Sequence, residues 1–389
     1  MRPWQTVVTS AFAVTTAAFA LACGPDDPSD NAPDLFRLAV NGLPGGALLS
    51  VYGNDRTRTM YLVGGYVGVD PSRLGAEPAG RMLTYNGRGT FRTLCTADAV
   101  LWWTAPVDGV AWAAGERGTV VRYRDGGACE VVDTGLTFAE GAPTFWGFTQ
   151  LGAVTWFVGG SASPTGPKGV LVRYDGTTFT RVEVPPEARD VNLYKIAVRA
   201  ANELVVVGER GVSLRVRAGV ATVDATNIAS SDNRLFTTHC YGGECWAVGG
   251  QNTGVILHGS MVTQVDTTTV WRWEPRDFDE ARGWNGVWSS DSSNTYAVGV
   301  NGQTMHTNGV SSFMGRSLTQ ATLHAVGGWS APAGDSTVVV AVGGELDTAD
   351  TTQRAVILVR GDDSERFTVD GRMFTPTGEL RRSLGGSGQ

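Results

Sequence analysis

The chain has 389 residues, 42% hydrophobic and 18% charged, with 52 glycines and a formal net charge of −7. That balance excludes an intrinsically disordered chain and is enough for a large core rich in tight turns. The negative charge gives no electrostatic support to a nucleic-acid partner. Two of the 31 basic residues are lysines, Lys168 and Lys195, a skew read here as base composition rather than as a site.

In chain order, the first element is an export signal. Arg2 is followed by an uncharged stretch from Val7 to Ala22 that ends Phe19-Ala20-Leu21-Ala22-Cys23. Its length and small-residue ending fit a secretory signal over residues 1–22 rather than a spanning helix. The ending resembles a bacterial lipobox, which implies that Cys23 is lipidated and becomes the first mature residue. An ordinary signal cut after Ala22 is the alternative. Gly24 stands where that resemblance places Asp for inner-membrane retention, so the expected location is the outer membrane of the cell envelope. Residues 23–34 continue as GPDDPSDNAPD after the cysteine, acidic and proline-rich, and read as a solvated tether.

From residue 35 to 384 one phrase returns seven times: a β-rich run ending in glycine, a short link, and a second β-rich run. The glycines are Gly64, Gly115, Gly159, Gly208, Gly249, Gly299 and Gly343, spaced by 51, 44, 49, 41, 50 and 44 residues. Each repeat holds four β-rich runs, A to D, with hairpin signals such as Asn86-Gly87 and Asp175-Gly176 between C and D. No sustained 3.6-residue period interrupts them. The expected fold is all-β, a seven-bladed β-propeller of four-stranded antiparallel blades. Leu35 to Val40 reads as a D strand with no blade of its own, so it is expected to pair with the last blade and close the ring. Arg366 to Val369 also reads as the D strand of that last blade. Residues 385–389 read as a loose tail.

The repeat W/Y-A-V-G-x-x-G resembles the propeller repeats of photosystem assembly-factor-like and sialidase-like families. The pairs Gly115 with Gly118, Gly208 with Gly211 and Gly299 with Gly302 carry that resemblance. The double glycines Gly64-Gly65, Gly159-Gly160, Gly249-Gly250 and Gly343-Gly344 are similar to kelch repeats. The resemblance implies fold; it does not imply function.

Sialidase-type hydrolysis needs clustered arginines, a tyrosine nucleophile and paired carboxylates. The arginines here are scattered and no S-x-D-x-G-x-x-W box occurs, so no catalytic residue is assigned and the chain is read as a non-enzyme. Cys240 and Cys245 flank a short A–B turn in blade five, and Cys95 and Cys129 fall late in blades one and two. Both pairs are expected as disulfides in an exported chain. A metal site at His239, Cys240 and Cys245 has no fourth ligand, and no cofactor is expected. The tryptophans of the B runs, Trp112, Trp156 and Trp246, read as packing between blades.

Variation concentrates where B–C and D–A connections emerge together. The stretch Thr267 to Gly283 is read as a D–A insertion. It offers Trp271, Arg272, Trp273, Arg276 and Phe278 as a candidate contact surface, the alternative being that its aromatics fold back onto the ring. The expected function is a lipid-anchored binding or assembly platform for a protein partner, tied to the membrane through its anchor. The alternative is a glycan-binding or glycan-cleaving propeller.

Overall fold

The computed structural model describes residues 36–374, apart from 124–127, 227, 229–232, 252, 265–267, 277–281, 330–336 and 347–349. The signal, Cys23, the tether and the tail lie outside the described residues, as does Phe278. No helix among the described residues is long and apolar enough to cross a membrane.

Seven antiparallel sheets form the ring, as the repeat spacing predicts. Their innermost, A, strands are Ala47–Asn54, Leu101–Val107, Thr144–Leu151, Leu193–Ala200, Leu235–Tyr241, Trp284–Asp291 and Leu323–Trp329. Each pairs with a B strand that ends on the repeated glycine or one residue past it. The B strands are apolar on both faces because each is sandwiched between neighbouring blades. Val205, Val206 and Val207 are all buried, as are Trp112, Trp156 and Trp246. These tryptophans fill the widening gap between blades, and Trp112 meets Tyr174 of the next blade at 5.7 Å.

The repeated glycine is a steric requirement. A Cβ on Gly249 would lie 1.7 Å from the Arg234 carbonyl oxygen, and one on Gly115 would lie 1.9 Å from that of Val100. This close approach lets the next amide bond the same carbonyl: Gly250 N donates to Arg234 O at 2.9 Å and Glu116 N to Val100 O at 3.0 Å. In blades two, four and six the link then turns tightly. Arg117, Arg210 and Asn301 sit at φ of 56°, 55° and 53°, each followed by a glycine that is also left-handed.

Closure is made at one seam. The strand Arg37–Pro44 pairs antiparallel with Arg354–Arg360 and supplies the outer strand of blade seven. That position excludes the expected placement of Arg366 to Val369, since both segments compete for one edge. Phe367–Val369 instead runs parallel to Thr90–Ala97, the outer strand of blade one, and turns back through Arg372–Phe374. Each neighbour at the seam therefore takes an outer element from the far end of the chain. Phe367, Val369 and Phe374 join Val40, Tyr85, Phe91 and Ile357 in one buried cluster across the seam.

The cysteines pair as expected. Cys95 and Cys129 join the outer strands of blades one and two, with Cα atoms 5.4 Å apart. Cys240 and Cys245 are direct cross-strand partners in blade five.

The stretch around Trp271 differs from its expected role. Thr269–Arg276 is the D strand of blade five, paired along its length with Val255–Thr263, and not a D–A loop. Trp273 is 1% exposed and its indole N–H donates to Ser213 Oγ of blade four at 3.0 Å. Trp271 is buried beneath the Arg199 guanidinium, 4.9 Å from its ring. Arg272 and Arg276 point to solvent on the other face, Arg276 lying 3.4 Å from His258 Nδ1. The alternation of Trp271 and Trp273 with Arg272 and Glu274 is that of a half-buried strand.

Candidate recess at the channel mouth

The A strands line a central channel, and all seven carry the same irregularity. In each, a large apolar residue pairs with the repeated glycine and the register then slips by one: Leu48/Ser50, Leu101/Trp103, Phe145/Gly147, Leu193/Lys195, Leu235/Thr237, Trp284/Gly286 and Leu323/Ala325. The skipped residue is a β-bulge, which re-aims its side chain. The seven skipped residues are Leu49, Trp102, Trp146, Tyr194, Phe236, Asn285 and His324, and every one lines a recess of about 550 Å³ at the D–A and B–C end of the channel. A bulge set by the glycine contact thus places one side chain per blade at this mouth.

The seven are unequally distributed. Blades two to five give consecutive aromatics, Trp102, Trp146, Tyr194 and Phe236, all partly exposed. Trp146 and Tyr194 meet edge to face at 5.1 Å, and Tyr194 and Phe236 lie 5.5 Å apart. Blades six, seven and one give Asn285, His324 and Leu49. Asn285 Nδ2 donates to Leu323 O at 2.9 Å, and His324 Nε2 lies 2.8 Å from Gly344 O. Burial pushes the His324 imidazole down to about 4, against that contact, so it is neutral near pH 7.

Carboxylates brace the aromatic side. Glu209 accepts from the Tyr194 hydroxyl at 2.9 Å and from Asn192 N at 2.9 Å. Burial alone would raise Glu209, but these bonds hold it below the usual carboxylate range. Burial also drives the Tyr194 phenol up, reinforced by Glu209. Glu116 lines the recess beside Trp102 and is raised by burial, with the Trp102 indole and Arg117 opposing.

Lys195 forms the floor. It is 7% exposed, its Nζ donates to Trp146 O at 2.8 Å, and Nζ sits 3.7 Å from the Trp103 ring centroid. Burial pushes the ammonium down to about 7. Trp103 belongs to a second chamber, about 300 Å³, at the opposite mouth. The Trp103–Lys195 contact therefore stands between the two. That second chamber is lined by Tyr52, Asp55, Gln150, His239, Cys240 and Trp288 among others. His239 accepts from Ser289 N at 3.1 Å and is held near 4 by burial.

The sequence-derived contact residues and this recess do not coincide. None of Trp271, Arg272, Trp273 or Arg276 lines either chamber, and Cys23 lies outside the described residues. No arginine lines either chamber among the described residues. Nor do three His, Cys, Asp or Glu side chains gather there as a metal-binding set. The seven bulge residues were visible in sequence only as the position after a large apolar residue at the start of each A run.

No family profile matches the chain, and no curated protein matches it in sequence. The chain is similar in fold to YCF48. The structure of YCF48 from Cyanidioschyzon merolae superposes with a TM-score of 0.55 at 14% identity, covering 84% of this chain and 98% of that one. A structure of YCF48 bound to D1 peptide gives 0.54 at 15%, covering 84% and 100%. The WD40 β-propeller domain of Doa1 gives 0.56 at 9%, covering 84% and 97%. Identities this low establish shared architecture alone.

Proposed function

We propose that the chain is a non-catalytic binding platform that takes a protein partner at the recess on its D–A and B–C face. The observation that carries this reading is the run of four partly exposed aromatics on consecutive blades, at bulge positions where the same frame carries Asn285, His324 and Leu49 in the other three blades. Aromatics concentrated in a concave site are the usual anchors of protein contacts. That YCF48 has been seen with a peptide, on a propeller of similar architecture, agrees with the reading.

The export signal and Cys23 extend the proposal: a lipid-anchored protein of the outer membrane, in the cell envelope. Palmitate labelling lost on Cys23→Ala tests the anchor. Cross-linking capture from detergent-solubilised envelopes, repeated with Trp102→Ala and Trp146→Ala, tests the platform. Both variants should fold and lose the partner; capture undiminished by both counts against the recess.

The same rings suit stacking on sugars, so glycan binding is the second reading, and a glycan array separates the two. Glycan cleavage of the sialidase type has less support, since no arginine stands at either mouth among the described residues.

A further inference from the structure

Lys195 is unusual within its own ring. At the equivalent position after the bulge the other blades carry Ser50, Trp103, Gly147, Thr237, Gly286 and Ala325. It is one of two lysines in a chain that otherwise uses arginine for its basic residues. An ammonium has three N–H donors. Among the described residues, Nζ gives one to Trp146 O, rests against the Trp103 ring, and meets no carboxylate. A buried cation without a counter-ion costs stability, so a scaffold has no use for it there.

Resting on the reading of this recess as the binding site, we infer that it receives a carboxylate carried on an aromatic or apolar body. Lys195 pairs with the carboxylate from the floor while Trp146, Tyr194 and Phe236 pack the body. The counter-ion that the described residues do not provide is then supplied by the ligand. Because burial holds Lys195 near 7, an arriving anion draws a proton onto it, and binding weakens as pH rises through that range. The other titratable groups facing the site are Glu116 and His324, with Glu209 behind Tyr194. His324 is already neutral and Glu209 is held ionised, so neither gives that change near pH 7. Glu116, raised by burial, would act in the same direction on ionising, and Glu116→Gln separates it from Lys195.

The test uses the folded mature chain and two probes that differ only in charge, N-acetyltryptophan and N-acetyltryptophanamide, followed by calorimetry from pH 6 to 9. The acid should bind at least about tenfold tighter than the amide at pH 6. The preference should fade above pH 7 with measurable proton uptake, and it should vanish in Lys195→Met. Trp146→Ala should weaken both probes alike, and Glu116→Gln should leave the pH break in place. An amidated dipeptide, N-acetyl-Trp-Asp-amide, separates a side-chain carboxylate within a polypeptide from a terminal one; tighter binding of either acid than of the neutral amide supports the inference. Equal binding of acid and amide, no binding of any acid at millimolar concentration, or a preference that survives in Lys195→Met overturns it. If the recess variants lose partner capture while the wild type shows no acid preference, the platform stands and only this inference falls. Melting controls for misfolding: Lys195→Met removes an unpaired buried cation and should melt no lower than the wild type.

Discussion

The two mouths of the channel are built by the same seven strands and end differently. At the A–B end the strands finish in hairpins, several only two residues long, and blade five adds the Cys240–Cys245 bridge across its turn. At the other end every A strand is bulged, and the released side chain is free of the ladder. One mouth is fixed by pairing, whereas the other is fixed only in where its side chains point. A propeller can therefore keep its frame constant and vary its recess, because the residue each blade presents there has no partner in the A–B ladder.

That contrast can be broken at its source. Gly249→Ala places a methyl carbon 1.7 Å from a backbone carbonyl at the base of a bulge. It should cost at least about 3 kcal/mol in denaturant melts. Trp273→Ala should cost a comparable 3–5 kcal/mol, since it empties a fully buried indole and orphans Ser213, roughly as other large core truncations do. By contrast Trp146→Ala, at the bulged mouth, should cost about 1 kcal/mol or less while removing binding. Equal losses for the two tryptophans would erase the distinction between frame and recess.

The disulfides sharpen the comparison. Cys95–Cys129 closes a separation of 34 residues and Cys240–Cys245 one of only 5. Loop-closure entropy predicts contributions of about 4 and about 2 kcal/mol respectively. Replacing each pair by serine, one at a time, should lower thermal stability more for the first. A smaller effect follows from His239 and His324, one at each mouth and both held near 4 by burial. The folded state binds fewer protons than the unfolded chain between about pH 6.5 and pH 4. Stability is therefore full above 6.5 and is lost as pH falls through that window. His239→Gln and His324→Gln should each flatten part of that slope in acid titrations followed by fluorescence.

Most of the frame was legible because it repeats. Seven glycines, Asn86-Gly87 and Asp175-Gly176, and an orphan strand at Leu35 to Val40 specify blades, hairpins and closure. Both cysteine pairs followed from where the repeat puts them. The errors have physical causes. Arg366 to Val369 and the first strand both fit the edge of blade seven, and strand propensity does not say which of two adjacent edges a segment joins. The run Trp271-Arg272-Trp273-Glu274 was read for its aromatic and charged content rather than for its period of two, which was already that of a half-buried strand. The recess was hidden for a different reason. A bulge breaks the alternation by which an inward-facing residue is recognised, so Trp102, Trp146, Tyr194 and Phe236 looked like ordinary strand members. Lys195 was set aside as composition, although in a chain with two lysines its position carries more information than its frequency.

The seam between blades one and seven also sets an order of events. Arg37–Pro44 is made first and pairs with Arg354–Arg360, and the edge at Thr90 and Phe91 waits for Thr368 and Val369. The strand Arg37–Pro44 and the outer edge of Thr90–Ala97 must wait until almost the last residues of the ring are available. Contacts so distant along the chain form slowly, and open strand edges are where chains aggregate. Closure of this ring is thus a late event that depends on nearly the whole chain, and a product truncated before residue 354 would hold six four-stranded blades, only the A and B strands of the seventh, and no partner for Arg37–Pro44.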